Sequence, residues 1–187
     1  MSRLVLSKFL LKEKNQISKN ALENKGAAYD KVVLKDTILD DAIRDISDAA
    51  KQYDRKNVGR GIYTDLFPDG KTTTIIGAPL TKEPDKADRL LQRFDRFEEG
   101  NPLLTHKMPL STAITEAKTA ISAYEQAIGN EQKVLADEAM AKEDLVRQYE
   151  LNYHGAALQF GKKYANRLFP KTAKTKKEEP IEEMIVE

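Results

Sequence analysis

The sequence predicts an all-α protein, an antiparallel four-helix bundle built of two helical hairpins, with a flexible C-terminal tail. Three observations carry that expectation. Apolar residues recur at steps of three and four along four long segments, the period of a helix with one buried face. Leu, Ile, Ala, Glu and Lys dominate a chain of 187 residues that is 33% charged, 7% aromatic and free of Trp, a composition that favours helices over a sheet sandwich. Gly and Pro fall between the periodic segments, where they stop or turn a helix. The length suits one domain, with residues 1–35 packed on the outside of the body, 36–170 as the bundle and 171–187 as the tail.

The first expected helix spans 36–66. Thr37 and Asp40 form a short-acid capping box, and Leu39, Ile43, Ile46, Ala50 and Tyr53 make one apolar stripe. Asp40, Arg44 and Asp48 are spaced for ion pairs on its wet side. Gly59 and Gly61 loosen this helix before Ile62 and Leu66, and Pro68 ends it. The second expected helix, 84–99, opens on Pro84 and Asp85, suits the helix dipole, and buries Ala87, Leu90, Leu91, Phe94 and Phe97. Gly100-Asn101-Pro102 stops it. The third, 111–128, repeats Ile114, Ala117, Ile121, Tyr124 and Ile128 and ends at Gly129-Asn130. The fourth, 131–168, carries Leu135, Ala139, Val146, Tyr149, Tyr153, Phe160, Tyr164 and Leu168 and ends at Pro170. Residues 1–35 read as partly extended around "KVVL" at 31–34. "MSRLVLSKFLLKEK" has the look of a leader, but Lys8 interrupts the apolar stretch and no small-residue cleavage site follows, so it reads as part of the mature chain.

An internal echo links the first and last of these helices. Shifted by 102 positions, "VGRGIYTDLFP" at 58–68 lies over "FGKKYANRLFP" at 160–170. Both have an apolar residue, Gly, two variable positions, an apolar residue, three variable positions and Leu-Phe-Pro. Read as packing, Gly would allow two helices to cross closely and Leu-Phe would plug the bundle end. The alternative is chance recurrence of a helix that ends in an apolar residue and Pro.

The catalytic signatures fail one by one. "DGKTTT" at 69–74 has the Gly-Lys-Thr end of a phosphate-binding loop, but Asp65 stands where the first Gly is required and the stretch follows a helix end, not a strand. Pro68-Asp69-Gly70 is ordinary turn chemistry. Without Cys there is no thiol catalysis, disulfide or thiolate metal site. Of two His, His154 sits four residues after Glu150 and His106 has no carboxylate neighbour, so a di-iron Glu-x-x-His pattern is missing. No Ser lies in a Gly-x-Ser-x-Gly elbow. The expectation is a protein without enzymatic activity, cofactor or metal.

Charge directs attention to the C-terminal part. The net charge is only +1, so the whole molecule is not a polyelectrolyte partner. Residues 162–177 nevertheless hold seven Lys or Arg and no acid, and 178–187 hold five acids and no base. Lys162, Lys163, Arg167, Lys171 and Lys174 are candidate phosphate or anion contacts, with Tyr153, Phe160 and Tyr164 available to stack on bases. Those aromatics share one helical face, which reads as core. Ile181, Met184 and Ile185 at spacing i, i+3, i+4 form a candidate docking segment on a low-apolar tether. Its alternatives are folding back over the bundle or fraying as a terminus.

The stretches "LFPDG" at 66–70, "ADRLLQRFDRFEEG" at 87–100 and "AYEQAIG" at 123–129 resemble an uncharacterised family of bacterial all-helical proteins, across residues 60–130. The resemblance implies a helical fold and brings no catalytic motif. The expected function is that of a cytoplasmic, non-enzymatic scaffold or protein-interaction module, with another protein or a second copy as partner. The alternative is an accessory binder of nucleic acid or an anionic surface through 162–177.

Overall fold

The computed structural model describes residues 3–169, and among them every regular element is helical. Two helices of 54 residues each dominate, α1 (Arg3–Lys56) and α5 (Lys107–Phe160). Between them lie α2 (Ile62–Leu66), α3 (Thr73–Ile76), α4 (Glu83–Arg93) and two 3-10 turns at Phe94–Arg96 and Pro102–His106, and α6 (Lys162–Leu168) follows α5. The described residues divide into two compact units, one of residues 14–137 and one of residues 3–13 with 138–169.

In the unit Lys14–Asp137, α1 and α5 run antiparallel. Lys14 pairs with Asp137 at 3.0 Å, Lys25 with Glu131 at 2.6 Å and Lys35 with Glu116 at 2.8 Å. Tyr29 meets Tyr124 at 5.4 Å between ring centroids, so partners on α5 descend as those on α1 rise. The half-buried and buried positions of α1 step by three and four through Ser18, Ala21, Lys25, Ala28, Val32, Lys35, Leu39, Ala42, Ile46 and Ala49. Those of α5 step in the same way through Leu110, Ala113, Ala117, Ala120, Tyr124, Ala127, Glu131 and Val134. This is a heptad seam, the pattern of paired helices that share one line of contact.

At one end of the seam the side chains turn large and apolar. Leu39, Ile43 and Ile46 of α1, Leu66 and Phe67 at the end of α2, Leu90 and Phe94 from α4 and its 3-10 turn, and Leu110 of α5 are fully or almost fully buried in one cluster. At about 1.5–3 kcal/mol for each large side chain, this burial is the main stabilising term of the unit. Polar groups tie the short elements down. The Asp54 carboxylate accepts the first two backbone N–H groups of α2, from Ile62 and Tyr63, both at 2.9 Å, satisfying donors that a helix start leaves free. Arg93 of α4 donates to the carbonyl of Leu66 at 2.5 Å, and Lys118 of α5 contacts Asp85 and Asp88 of α4. "DGKTTT" forms a turn in which Gly70, at φ 68°, donates its N–H to Phe67, followed by the single turn of α3.

The helix boundaries depart from the four expected, and the two separate hairpins are replaced by one long helix on each side. Residues 3–35 are helical, with "KVVL" inside α1, and the seam there is made mostly of Lys, Ser and Ala, with Val32 its one buried large apolar residue. Such residues bury well against a partner helix but leave no hydrophobic stripe to read. Thr37 is no cap; its hydroxyl donates to the Val33 carbonyl at 3.0 Å within the helix. α5 passes through Gly129-Asn130 without a break, since the Lys25–Glu131 pair on one side and Ala127 in the seam hold the backbone in place. Pro109 falls in the first turn of α5, where its missing N–H has no helical acceptor to lose.

The fourth stripe is displaced by one position at Leu135 and Val146, while its Tyr149 and Tyr153 are half-buried. Leu135, Val146, Phe160, Tyr164 and Leu168 are exposed. The inward line of α5 beyond residue 137 instead runs through Glu138, Ala141, Leu145 and Gln148. In the unit that contains α6, Ala141 and Ala165 are buried, and Phe169 packs on Tyr149 and Tyr153 at 5.3 and 6.3 Å between centroids.

The internal echo is structural. Each 54-residue helix is followed by a Gly at positive φ, Gly59 at 98° and Gly161 at 84°, and then by a short helix. Each short helix ends at Leu, and the next residue, a Phe held by the Pro that follows, takes nearly the same backbone: φ −123°, ψ 73° at Phe67 and φ −122°, ψ 79° at Phe169. The two Phe N–H groups bond four residues back, to Tyr63 and Ala165. The repeated Gly serves to reverse the chain after the long helix rather than to admit a crossing helix. A Cβ at either meets nothing within 4 Å, so the positive φ is what requires Gly.

Gly129 differs, being exposed, helical and in open space. Gly129→Ala is expected to stabilise the protein by about 0.5–1 kcal/mol in urea denaturation. A loss of stability would mean that the helix is bent or opened at that point.

Candidate functional site

The most perturbed ionisable group is one that the sequence did not single out. Glu83, the first residue of α4, is 1% exposed and lies against Asp36 and Asp40 of α1. Asp40 uses Oδ2 to accept Arg44 Nη2 at 3.0 Å. Its Oδ1 and Glu83 Oε1 are both buried with no donor among the described groups. Two ionised carboxylates cannot bond to one another, but a proton on Glu83 supplies the donor and satisfies both. Burial foremost, then the hydrogen bond to Asp40 and the repulsion of Asp36 and Asp40, push the Glu83 carboxyl up from 4.5 to about 8. Asp36 is also raised, by burial and by Asp40, with the Glu83 proton acting against the shift. At neutral pH this corner is a neutral acid donating to carboxylates, a latch between α1 and α4. Closed to solvent, Glu83 has no route to a substrate. Its spacing of 43 residues from Asp40 gave no local motif to find it by.

The predicted site residues fall in two places. Lys162, Lys163 and Arg167 stand exposed along α6. Lys171, Lys174, Ile181, Met184 and Ile185 lie outside the described residues. The aromatics read as core beside these cations do not behave as core. Phe160 and Tyr164 are exposed and meet as a tilted pair with ring centroids 5.4 Å apart, while Tyr153 is half-buried and donates to Asn166 at 2.9 Å. Glu150 and His154 build no ligand set, and among the described residues no three His, Asp or Glu gather as metal ligands. No helix among those residues is long and apolar enough to cross a membrane.

A second surface lies beside the seam of the unit Lys14–Asp137. Leu22, Tyr29 and Val33 of α1 and Leu135 of α5 are exposed, with Ile121 and Ile128 half-buried next to the seam. They fall one position past the seam residues Ala21, Ala28, Val32 and Val134, so α1 and α5 keep an apolar flank after pairing with each other.

No protein-family model, curated protein or solved structure matches the chain. The resemblance over residues 60–130 therefore rests on those residues alone.

The latch sets a pH dependence. The native state holds the Glu83 proton to about pH 8, whereas the unfolded chain releases it near 4.5. Between those values the folded form binds more protons, so stability falls as pH rises through that window and levels off above it. At about 1.4 kcal/mol per pKa unit, the fall across the whole window is on the order of 5 kcal/mol. Urea denaturation at pH 5, 7 and 9 should show this fall, and Glu83→Gln, which keeps a donor for Asp40, should flatten it. An unchanged slope in Glu83→Gln would assign the dependence to other groups.

Proposed function

We propose that this is a non-enzymatic helical scaffold or interaction module of the cytoplasm, which presents the apolar flank of its paired helices to another protein or a second copy. The observation that carries the reading is the exposed row Leu22, Tyr29, Val33 and Leu135 on helices already paired through a different line. Apolar surface that remains after a seam has formed is where a further helix lays its own apolar face. The seam itself favours a rigid presenter, because its lysine–carboxylate pairs fix the register of the two helices. The test is affinity capture from the source cells with the wild type and with Leu22→Glu/Leu135→Glu, beside sedimentation of each at several concentrations. The expected result is a partner, or a dimer, held by the wild type and lost at least tenfold in the variant, with melting temperature little changed. Equal retention by both would remove the flank from consideration.

One observation favours a second reading, an accessory binder of nucleic acid or an anionic surface. The exposed Phe160–Tyr164 pair is interleaved with Lys162, Lys163 and Arg167 on α6, a stacking platform with cations beside it. Single-stranded RNA should then bind with an affinity that falls with salt at a log–log slope of about −2, as three phosphate contacts give. Lys162→Glu/Lys163→Glu should abolish it. Salt-independent binding, or none at low salt, excludes this reading.

A further inference from the structure

The two copies of the echo differ in one respect. In the first, the apolar positions of the short helix are covered: Ile62 is 7% and Leu66 0% exposed. Among the residues of the cluster that buries them, Ala87, Leu90 and Phe94 belong to the segment that follows Leu-Phe-Pro in the same chain, and α4 of that segment is in contact with α2. In the second copy, the corresponding Tyr164 is 48% and Leu168 53% exposed, although the Gly, the short helix and the Phe backbone are reproduced. The segment that follows the second Leu-Phe-Pro is 171–187.

We propose that residues 178–187 of the same chain cover α6, setting Ile181, Met184 and Ile185 on Tyr164 and Leu168, as α4 covers α2. Three features specify this occupant. The apolar residues match in kind: Ile181, Met184 and Ile185 fall at i, i+3 and i+4, one face of a turn. The charges are complementary, because 178–187 carries five acids and no base while α6 carries Lys162, Lys163 and Arg167 and no acid. The tether is long enough. Ile181 lies twelve residues after Phe169, a reach of up to roughly 40 Å, against about 10 Å for the whole of α6. The candidate docking residues and the candidate cations are thereby each other's partners, a reading independent of the apolar flank on α1 and α5.

The absence of Cys allows a single label on the full chain. A nitroxide on Val186→Cys should broaden the amide signals of Tyr164, Arg167 and Leu168. Adding Ile181→Asp/Ile185→Asp should cut that relaxation at least threefold, while 1 M salt should weaken it by screening. Lys163→Glu/Arg167→Glu should reduce it too, and Glu182→Lys/Glu183→Lys in the same chain should restore it. Equal broadening with and without the Asp substitutions would mean mere proximity of a tethered end and would overturn the proposal. Broadening seen only when labelled and isotope-enriched chains are mixed would also overturn it, giving the surface to a second copy. Absence of broadening would do the same.

Discussion

The pairing of α1 with α5 is the constraint on which the unit Lys14–Asp137 depends. Away from the large side chains at one end, its seam is rich in Ala with Lys, Ser and Glu among it, so hydrophobic area alone does not set the register there. Lys14–Asp137, Lys25–Glu131 and Lys35–Glu116 do that, at three levels along the helices. Lys25 and Glu131 are the most enclosed of these pairs, with both Glu131 oxygens accepting from the ammonium. Such a pair contributes little net free energy, because desolvation offsets attraction, but a shifted register would leave a charge buried and unpaired. A small, partly polar seam thus exchanges affinity for a defined alignment.

Stability is concentrated where the seam gives way to large side chains. The connection between the long helices folds back and adds Leu66, Phe67, Ile75, Leu90 and Phe94 to Leu39, Ile43, Ile46 and Leu110. Within that cluster the Glu83 proton closes a corner that would otherwise place three carboxylates together. The result is one firm head, joined to a helix pair whose outer faces remain available.

The repeated Gly, short helix and Leu-Phe-Pro unit shows one local sequence producing one local backbone in two surroundings. Phe67 and Phe169 agree within a few degrees because Pro excludes the helical region for the residue before it, whatever is packed nearby. Burial does not repeat, since it is set by what returns onto the short helix.

The helical class, the core residues Leu39, Ile43, Ile46, Ala50, Ala87, Leu90 and Phe94, and the stop at Pro68 were legible in the sequence, whereas α4 ends at Arg93, short of the stop expected at Pro102. Each rests on a local rule: a run of strong apolar residues at helical period, or the missing N–H and fixed φ of Pro. What only the tertiary structure decided is where those rules fall silent. Residues 3–35 are helical because α5 accepts their small and charged seam. Gly129 stays inside a helix because the partner holds it there. Leu135 and Val146 proved to be surface because the line through Val134, Glu138, Ala141 and Leu145 faces inward, partly polar as it is. Glu83 titrates near 8 only because folding brings it from α4 to two aspartates on α1. Periodicity reports which residues are apolar, but the approach of a second helix determines which of them are buried.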